Sequence, residues 1–386
     1  MTLKYLITGA TGGLGSQVLS YLVANVPASE YAAASSNEAN RKRFEDQGIA
    51  FRVVNYDDPQ TMETAFEDVE NLLFVSTSTF DVEKRRQQHQ SFVDAAKKMN
   101  VKHTWYTSLA FGGFRSDSRA DVQQAHLMTE EMMRQSGINF TSIREGLYTD
   151  AFPIFMGWYP STSTVYLPSD GLIAFTLRDE LGEANARLMI RGGYDKKIVL
   201  LTAQEPVTFS EIADLINETT GRDVQVKLVS PEEFVQLKSA NDEGGKPEAF
   251  FRKLLSWYDA IAQGDAGITD PLMTEVLGRQ PVLPREAIRG FLREIGIMSG
   301  TKTMSIAVRD QHFVNSKCFI CCIAAVVSAT NSDVGALVPE ANNLIVGLPP
   351  CLVRTGDVER HLSGNEGIQA GRVRPMLTIG AELSRL

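Results

Sequence analysis

The sequence predicts an α/β protein: a doubly wound parallel sheet with a smaller α/β module on its substrate side and an irregular C-terminal tail. Three observations predict it. Apolar runs alternate with helix-patterned segments to about residue 150, a glycine-rich turn follows the first of those runs, and regular periodicity stops near Gly300.

The elements follow in order. Tyr5 to Thr8 reads as a strand and Gly15 to Ala24 as a helix, then Tyr31 to Ala34 and Asn40 to Gln47, then Phe51 to Val54 and Pro59 to Phe66. Asn71 to Ser76 is a continuous apolar strand, Glu83 to Met99 a helix, His103 to Ser108 a fifth strand and Ile138 to Ile143 a sixth. Strands apolar on both faces and joined by helices belong to a parallel sheet covered on each side.

Beyond the sixth strand the rhythm loosens into loops over Pro153 to Ser169. A second module follows, with an Asp179 to Ile190 helix, a Lys197 to Leu201 strand, a Phe209 to Thr219 helix, a Val224 to Leu228 strand and helices to about Ile297. The expected organisation is therefore a nucleotide-binding domain over 1–150, a substrate-side module over 151–299 and a tail over 300–386. Such a module over the carboxyl ends of the sheet forms one wall of a cleft.

Composition narrows the function. The 386 residues are 43% hydrophobic and 22% charged, enough to bury a sizeable core, and the net charge of -9 argues against a nucleic-acid or anionic-membrane partner. No apolar run approaches the roughly 20 residues that span a bilayer. Leu3 to Ile7 runs directly into Thr8-Gly9 without a cleavable leader pattern, and all four cysteines lie beyond residue 300, so a cytoplasmic, reducing location is expected. Cys318-x-x-Cys321-Cys322, with Cys351, His312 and His361, lacks the compact second pair of a structural zinc site, and no metal is expected.

The strongest local signal is Thr8-Gly9-Ala10-Thr11-Gly12-Gly13-Leu14-Gly15, between a strand and a helix. Gly9 allows the tight turn, Gly12 admits a pyrophosphate to the backbone N–H groups, and Gly15 lets helix and strand approach, while the helix N-terminus attracts anions. Thr11, Gly13 and Leu14 complete the cradle. With the βα units around it, the turn reads as a Rossmann-type phosphate loop rather than a merely structural one, and a nicotinamide dinucleotide is the expected cofactor. After the second strand, where NAD-binding proteins carry a carboxylate for the ribose hydroxyls, stand Ser35 and Ser36, with Arg41, Lys42 and Arg43 following. That favours NADP(H) over NAD(H), although Arg41 to Arg43 also read as a solvated helix face.

These residues resemble the NmrA-like branch of the atypical short-chain dehydrogenase/reductases, particularly its NAD(P)H:quinone oxidoreductase members. Besides Gly9 to Gly15, the resemblance rests on Gly48-Ile49 leading to Asn55-Tyr56-Asp57-Asp58, on Tyr106-Thr107-Ser108-Leu109, and on His126-x-x-x-Glu130. Ser136-Gly137-Ile138 to Arg144, Gly146 with Tyr148, Asp170-Gly171, Arg178-Asp179 and Leu277 to Pro281 extend it over about residues 3 to 297. Two departures stand out. Ser36 occupies a position where many members have arginine, and Glu145 one where the quinone reductases tend to have asparagine, which puts a negative charge beside the substrate.

The resemblance implies hydride transfer from NADPH to a quinone or another small electron-poor molecule, in secondary metabolism or detoxification. It equally allows a non-catalytic redox sensor that reports dinucleotide occupancy to a protein partner. Ordinary short-chain reductases protonate their product with a tyrosine assisted by lysine four residues on, and none of the ten tyrosines here has that lysine. A quinone tolerates the lack, because its reduced anion is stabilised by the ring. His126 is the candidate acid or substrate-orienting group, with a reference pKa suited to neutral pH and Glu130 one turn on to hold its ring. Its competing reading is a satisfied residue at the edge of the stripe Val122, Ala125, Met132 and Met133. Tyr148 caps nicotinamide or substrate, or packs between the modules. Ser76 and Thr77 end the fourth strand and Thr107 and Ser108 the fifth, all toward the cofactor crevice by topology, with Ser108 the carbonyl-side donor.

Overall fold

The computed structural model describes residues 2–79 and 81–299. The tail expected from Gly300, including all four cysteines, lies outside the described residues.

The first part runs β1 (Leu3–Ile7), α1 (Gly13–Asn25), β2 (Tyr31–Ser35), α2 (Arg41–Glu45), β3 (Ala50–Val53), α3 (Pro59–Phe66), β4 (Val69–Phe74), α4 (Val82–Lys98), β5 (His103–Leu109), α5 (Asp121–Ser136) and β6 (Phe140–Glu145). It continues through α6 (Phe152–Met156), β7 (Thr164–Leu167), α7 (Arg178–Arg191), β8 (Lys197–Leu201), α8 (Phe209–Thr220), β9 (Gln225–Leu228), α9 (Pro231–Asn241), α10 (Glu248–Ala262), α11 (Leu272–Leu277) and α12 (Pro284–Ser299). Local chemistry marks several boundaries. Asp58 and Asp81 accept from backbone N–H groups at the starts of α3 and α4, and Thr208 with Glu211 forms a reciprocal capping box on α8.

Seven parallel strands form one sheet in the order β3-β2-β1-β4-β5-β6-β8, and β7 pairs with β9 in a second, two-stranded sheet. The fold is the α/β, doubly wound Rossmann arrangement the sequence predicts. Several placements differ from the sequence reading, among them α6 within the expected loops and β6 running on to Glu145. Lys197–Leu201, expected in the smaller module, is the edge strand of the large sheet and pairs with β6. Thr164–Leu167, expected as loop, is a strand whose partner arrives only at Gln225, so its pairing leaves no local signal.

Side-chain alternation divides the core. Tyr5, Ile7, Ala33, Leu73, Trp105 and Ile143 pack on one face with α1 and α7, whereas Leu6, Ala32, Ala34, Phe74 and Tyr106 pack on the other with α3, α4 and α5. α1 and α7 are in extensive contact, and a Cβ at Gly182 would strike Gln17, so only glycine lets these helices meet this closely. A third core, with Phe152, Phe155, Phe175, Phe209 and Tyr258, fills the smaller module.

Strand order reverses between β1 and β4. Ligands of open α/β sheets bind outside the carboxyl ends of the strands at such a switch point, and the glycine turn leaves β1 there.

Candidate functional site

The loop after β1 is built for close backbone approach. Gly9 has φ +60°, and the Gly12 N–H donates to the Gly9 carbonyl at 2.8 Å. A Cβ at Gly15 would collide with the carbonyls of Gly9 and Thr8, backbone that has no room to yield. Gly12 caps α1 with no side-chain acceptor, and the first turn contains no acidic residue, so its N–H groups and their positive potential remain available to an anion. Thr11 is exposed at the crest, Gly12 and Gly13 are half-buried, and Leu14 and Gly15 are buried. The cradle fits a dinucleotide pyrophosphate. Its base is fixed by Thr8, which donates to the Leu73 carbonyl at 2.7 Å and accepts from the Val75 N–H at 3.1 Å.

At the end of β2, Ser35 is buried and accepts from the Asn37 N–H and the Asn40 amide, while Ser36 is exposed. Arg41 is held by Glu38 and Glu45 and donates to the Phe51 carbonyl; Lys42 pairs with Asp46, and Arg43 lies over the Phe44 ring. Arg41 and Lys42 of the expected basic cluster are therefore paired with acidic neighbours. Such exposed pairs are worth about 0–1 kcal/mol and are readily exchanged for a phosphate partner.

The ends of β4 and β5 are tied together from beneath. The Ser76 N–H donates to Thr107 Oγ1 at 3.0 Å, Arg85 donates to Ser76 Oγ at 3.0 Å, and the Thr77 N–H donates to His89 Nε2 at 3.2 Å. The last bond makes Nε2 an acceptor, so His89 carries its proton on Nδ1 and donates it to Thr129 Oγ1, 2.7 Å away. Burial, reinforced by Arg85, lowers the His89 pKa to about 3, so the ring stays neutral. Arg85 and His89 escaped the sequence reading, which gave only a helix over Glu83 to Met99.

Two contacts expected of His126 and Ser108 are overturned. Glu130 does not hold the His126 ring: it is taken up by Arg144, which donates from Nε at 2.9 Å and Nη2 at 2.7 Å, and by the hydroxyls of Ser108 and Ser142. Arg144 and Glu130 are 0% and 2% exposed, and an unpaired charge there would be costly, so they claim each other. Ser108 is buried and its proton is committed to Glu130. His126 is buried too, with Nδ1 2.8 Å from the Tyr106 hydroxyl. Burial first, then Arg85, His89 and Arg144, pushes its pKa well below the ordinary value. It is neutral at pH 7, contrary to the expected proton donor.

Tyr148 stands elsewhere. Strand alternation sends Arg144 to the α5 face of the sheet and Glu145 to the α7 face, and Tyr148 packs with the latter. His126 and Tyr148 are therefore not brought together. The half-buried Tyr148 donates its hydroxyl proton to Glu145 Oε2 at 2.7 Å, and Asn185 of α7 donates to Glu145 Oε1 at 2.8 Å. Burial raises the Glu145 pKa to about 7, outweighing those hydrogen bonds and the Arg178 charge. The Arg178 guanidinium lies 4.5 Å from the Tyr148 ring centre and pairs with Asp150 at 2.8 Å. It also occupies the space a Cβ on Gly13 would need, so it reaches the phosphate loop. Arg178 was visible in the sequence as a landmark, yet nothing there told that it closes on Gly13.

Among the described residues no group of histidine, cysteine, aspartate or glutamate could hold a metal ion, and no helix is long and apolar enough to cross a membrane.

Comparison with known proteins agrees with this geometry. The NmrA-like family matches residues 1–263. The NmrA-like family domain-containing oxidoreductase flvB of Aspergillus flavus is 53% identical over 294 residues, 76% of this chain and 96% of that protein. Quinone oxidoreductase 2 of Escherichia coli is 31% identical over 272 residues, 68% of this chain and 86% of that protein. The triphenylmethane reductase of Citrobacter sp., solved with NADP(H), superposes with a TM-score of 0.67 at 30% identity, covering 74% of this chain and 99% of that one.

Proposed function

The chain belongs to the NmrA-like family as an NAD(P)H-dependent oxidoreductase, and from that premise we propose that it uses NADPH to reduce a quinone or another small electron-poor metabolite. One observation carries the reading. The uncapped α1 N-terminus and its glycine cradle stand at the switch point, and Arg178 links them directly to a half-buried tyrosine at the end of β6. A phosphate cradle and a half-buried polar group are thus joined through one guanidinium.

A bound reduced nicotinamide supplies the hydride. The chain's own residues do the rest. The N–H groups of Gly13 and Leu14 and the Arg178 guanidinium bind the pyrophosphate. Ser35 and Ser36 present no carboxylate to a 2′-phosphate, and Arg41 is exposed enough to turn toward one. Ser76, Thr77 and Thr107 shape the floor through backbone ties, Tyr148 orients the acceptor, and His126 acts as a positioning residue through Tyr106. Support for a quinone comes from the E. coli relative's name and from the low demand of a hydroquinone anion for acid assistance.

The test is NADPH consumption against a panel of quinones, with NADPH and NADH titrated in parallel by fluorescence. Turnover with at least one quinone and tighter binding of NADPH are expected. Tight NADPH binding with no consumption by any acceptor would instead make the chain a dinucleotide sensor.

A further inference from the structure

Glu145 is a buried carboxyl for which cofactor binding has no use. It ends β6, is 1% exposed, and its sheet neighbours Leu109 on β5 and Leu201 on β8 are apolar. The groups facing it are Tyr148 from the segment after β6 and Asn185 and Arg178 from α7, while Asp150 acts on Tyr148 and pairs with Arg178. A carboxylate with one hydrogen bond to each oxygen, in apolar surroundings and beside a half-buried tyrosine, is an unusual thing to keep for structure alone.

We infer that Glu145 and Tyr148 form a proton relay, in which Tyr148 protonates the reduced acceptor and Glu145 reprotonates Tyr148, fitting the site to carbonyl acceptors as well as quinones. The inference rests on the oxidoreductase reading. In the starting state Glu145 is a neutral acid that donates to the Tyr148 oxygen, leaving the phenolic proton free to point into the crevice. Hydride from the reduced dinucleotide turns the carbonyl into an alkoxide. The Tyr148 O–H bond breaks as a new O–H bond forms on that alkoxide, and the Glu145 proton passes to the Tyr148 oxygen. Glu145 is left as a carboxylate accepting from Tyr148 and Asn185, which is the observed arrangement. A solvent proton returns through Tyr148 once product leaves.

The surroundings suit each step. Arg178 over the ring face stabilises the negative charge that passes through the phenol, and Asp150 fixes its position. Because Arg178 also touches Gly13, the relay is held beside the cofactor cradle. A Glu145 pKa of about 7 lets the acid form be present at neutral pH. The relay supplies what the missing tyrosine–lysine pair would, with a carboxylic acid in place of the ammonium.

The test combines spectroscopy of the free protein with pH profiles. The infrared band of a protonated carboxyl should vanish as pH rises through about 7, and should be absent from Glu145→Gln. Wild-type turnover of a carbonyl acceptor, p-nitrobenzaldehyde, should fall over the same range, because the acid form is the active one. Glu145→Gln should lose that pH dependence and about 10- to 100-fold of the carbonyl rate, while Tyr148→Phe loses a similar factor with carbonyls and less with quinones. Thermal unfolding checks that both variants fold, and should Glu145→Gln not fold, Tyr148→Phe and the wild-type infrared titration decide. An ionised Glu145 at all pH values, a retained pH dependence in Glu145→Gln, or full carbonyl turnover in Tyr148→Phe would overturn the relay. So would quinone turnover in a wild type that leaves the carbonyl untouched, with the oxidoreductase reading intact; failure to consume NADPH with any acceptor would overturn both.

Discussion

Arg144 and Glu130 form a two-pronged ion pair between β6 and α5 with almost no access to water, and the remaining Arg144 nitrogen is spent on the carbonyls of Gly113 and Arg115 at 2.6 Å. The pair joins a strand, a helix and the loop between β5 and α5 through one side chain.

Removing one partner strands the other charge in the interior. Arg144→Met or Glu130→Leu alone should therefore cost about 3–5 kcal/mol, and the double replacement should recover much of that loss. Urea unfolding of the four proteins as a mutant cycle measures the coupling. Additive losses would show that each residue is held mainly by other partners.

Stability should fall in mild acid. His89, with a pKa near 3, and His126, well below 6.5, stay neutral in the folded state, while the unfolded chain takes up protons as pH falls through about 6.5. Each histidine then removes about 1.4 kcal/mol per pH unit. Glu145, with a raised pKa, works in the opposite sense: the folded state holds its proton between about 4.5 and 7, so it favours folding as pH falls there and offsets one histidine. His103, also held low by burial, adds to the loss, whereas the raised Asp150 and Glu294 act with Glu145; the net slope just below pH 6.5 favours loss. A urea midpoint that holds steady or rises between about pH 6.5 and 5 would contradict this.

Cofactor choice should turn on the exposed position after Ser35. Ser36→Asp places a carboxylate where a 2′-phosphate would lie, so NADPH affinity should drop by about 10- to 100-fold from like-charge repulsion while NADH affinity holds or improves. Fluorescence titration with both dinucleotides checks it. Equal weakening of the two would place the adenosine end elsewhere.

The sheet and its glycine loop were legible because their signals are local. β1 to β6 announced themselves as apolar runs between helical segments, and Gly9, Gly12 and Gly15 stand within one turn. What sequence could not yield is partnership across the chain. His126 and Glu130 share a helix face, which suggested a contact, but the buried Arg144 outcompetes a neutral ring for the carboxylate. Arg41 to Arg43 read either as a 2′-phosphate clamp or as a solvated helix face, and Glu38, Glu45 and Asp46 hold Arg41 and Lys42. Likewise the sixth strand was expected to end at Ile143, so neither the alternation that parts Arg144 from Glu145 nor the helix that covers each face was read.

The place of β8 at the edge of the large sheet bears on how the chain is made. When residues 1–150 have left the ribosome, β1 to β6 exist but the outer side of β6 still offers a bare row of N–H and C=O groups. That side stays open until Lys197–Leu201 emerges, and by then α6, β7 and α7 have already been synthesised. The nascent sheet is thus sticky during a defined stretch of translation, the interval in which a chaperone has most to shield.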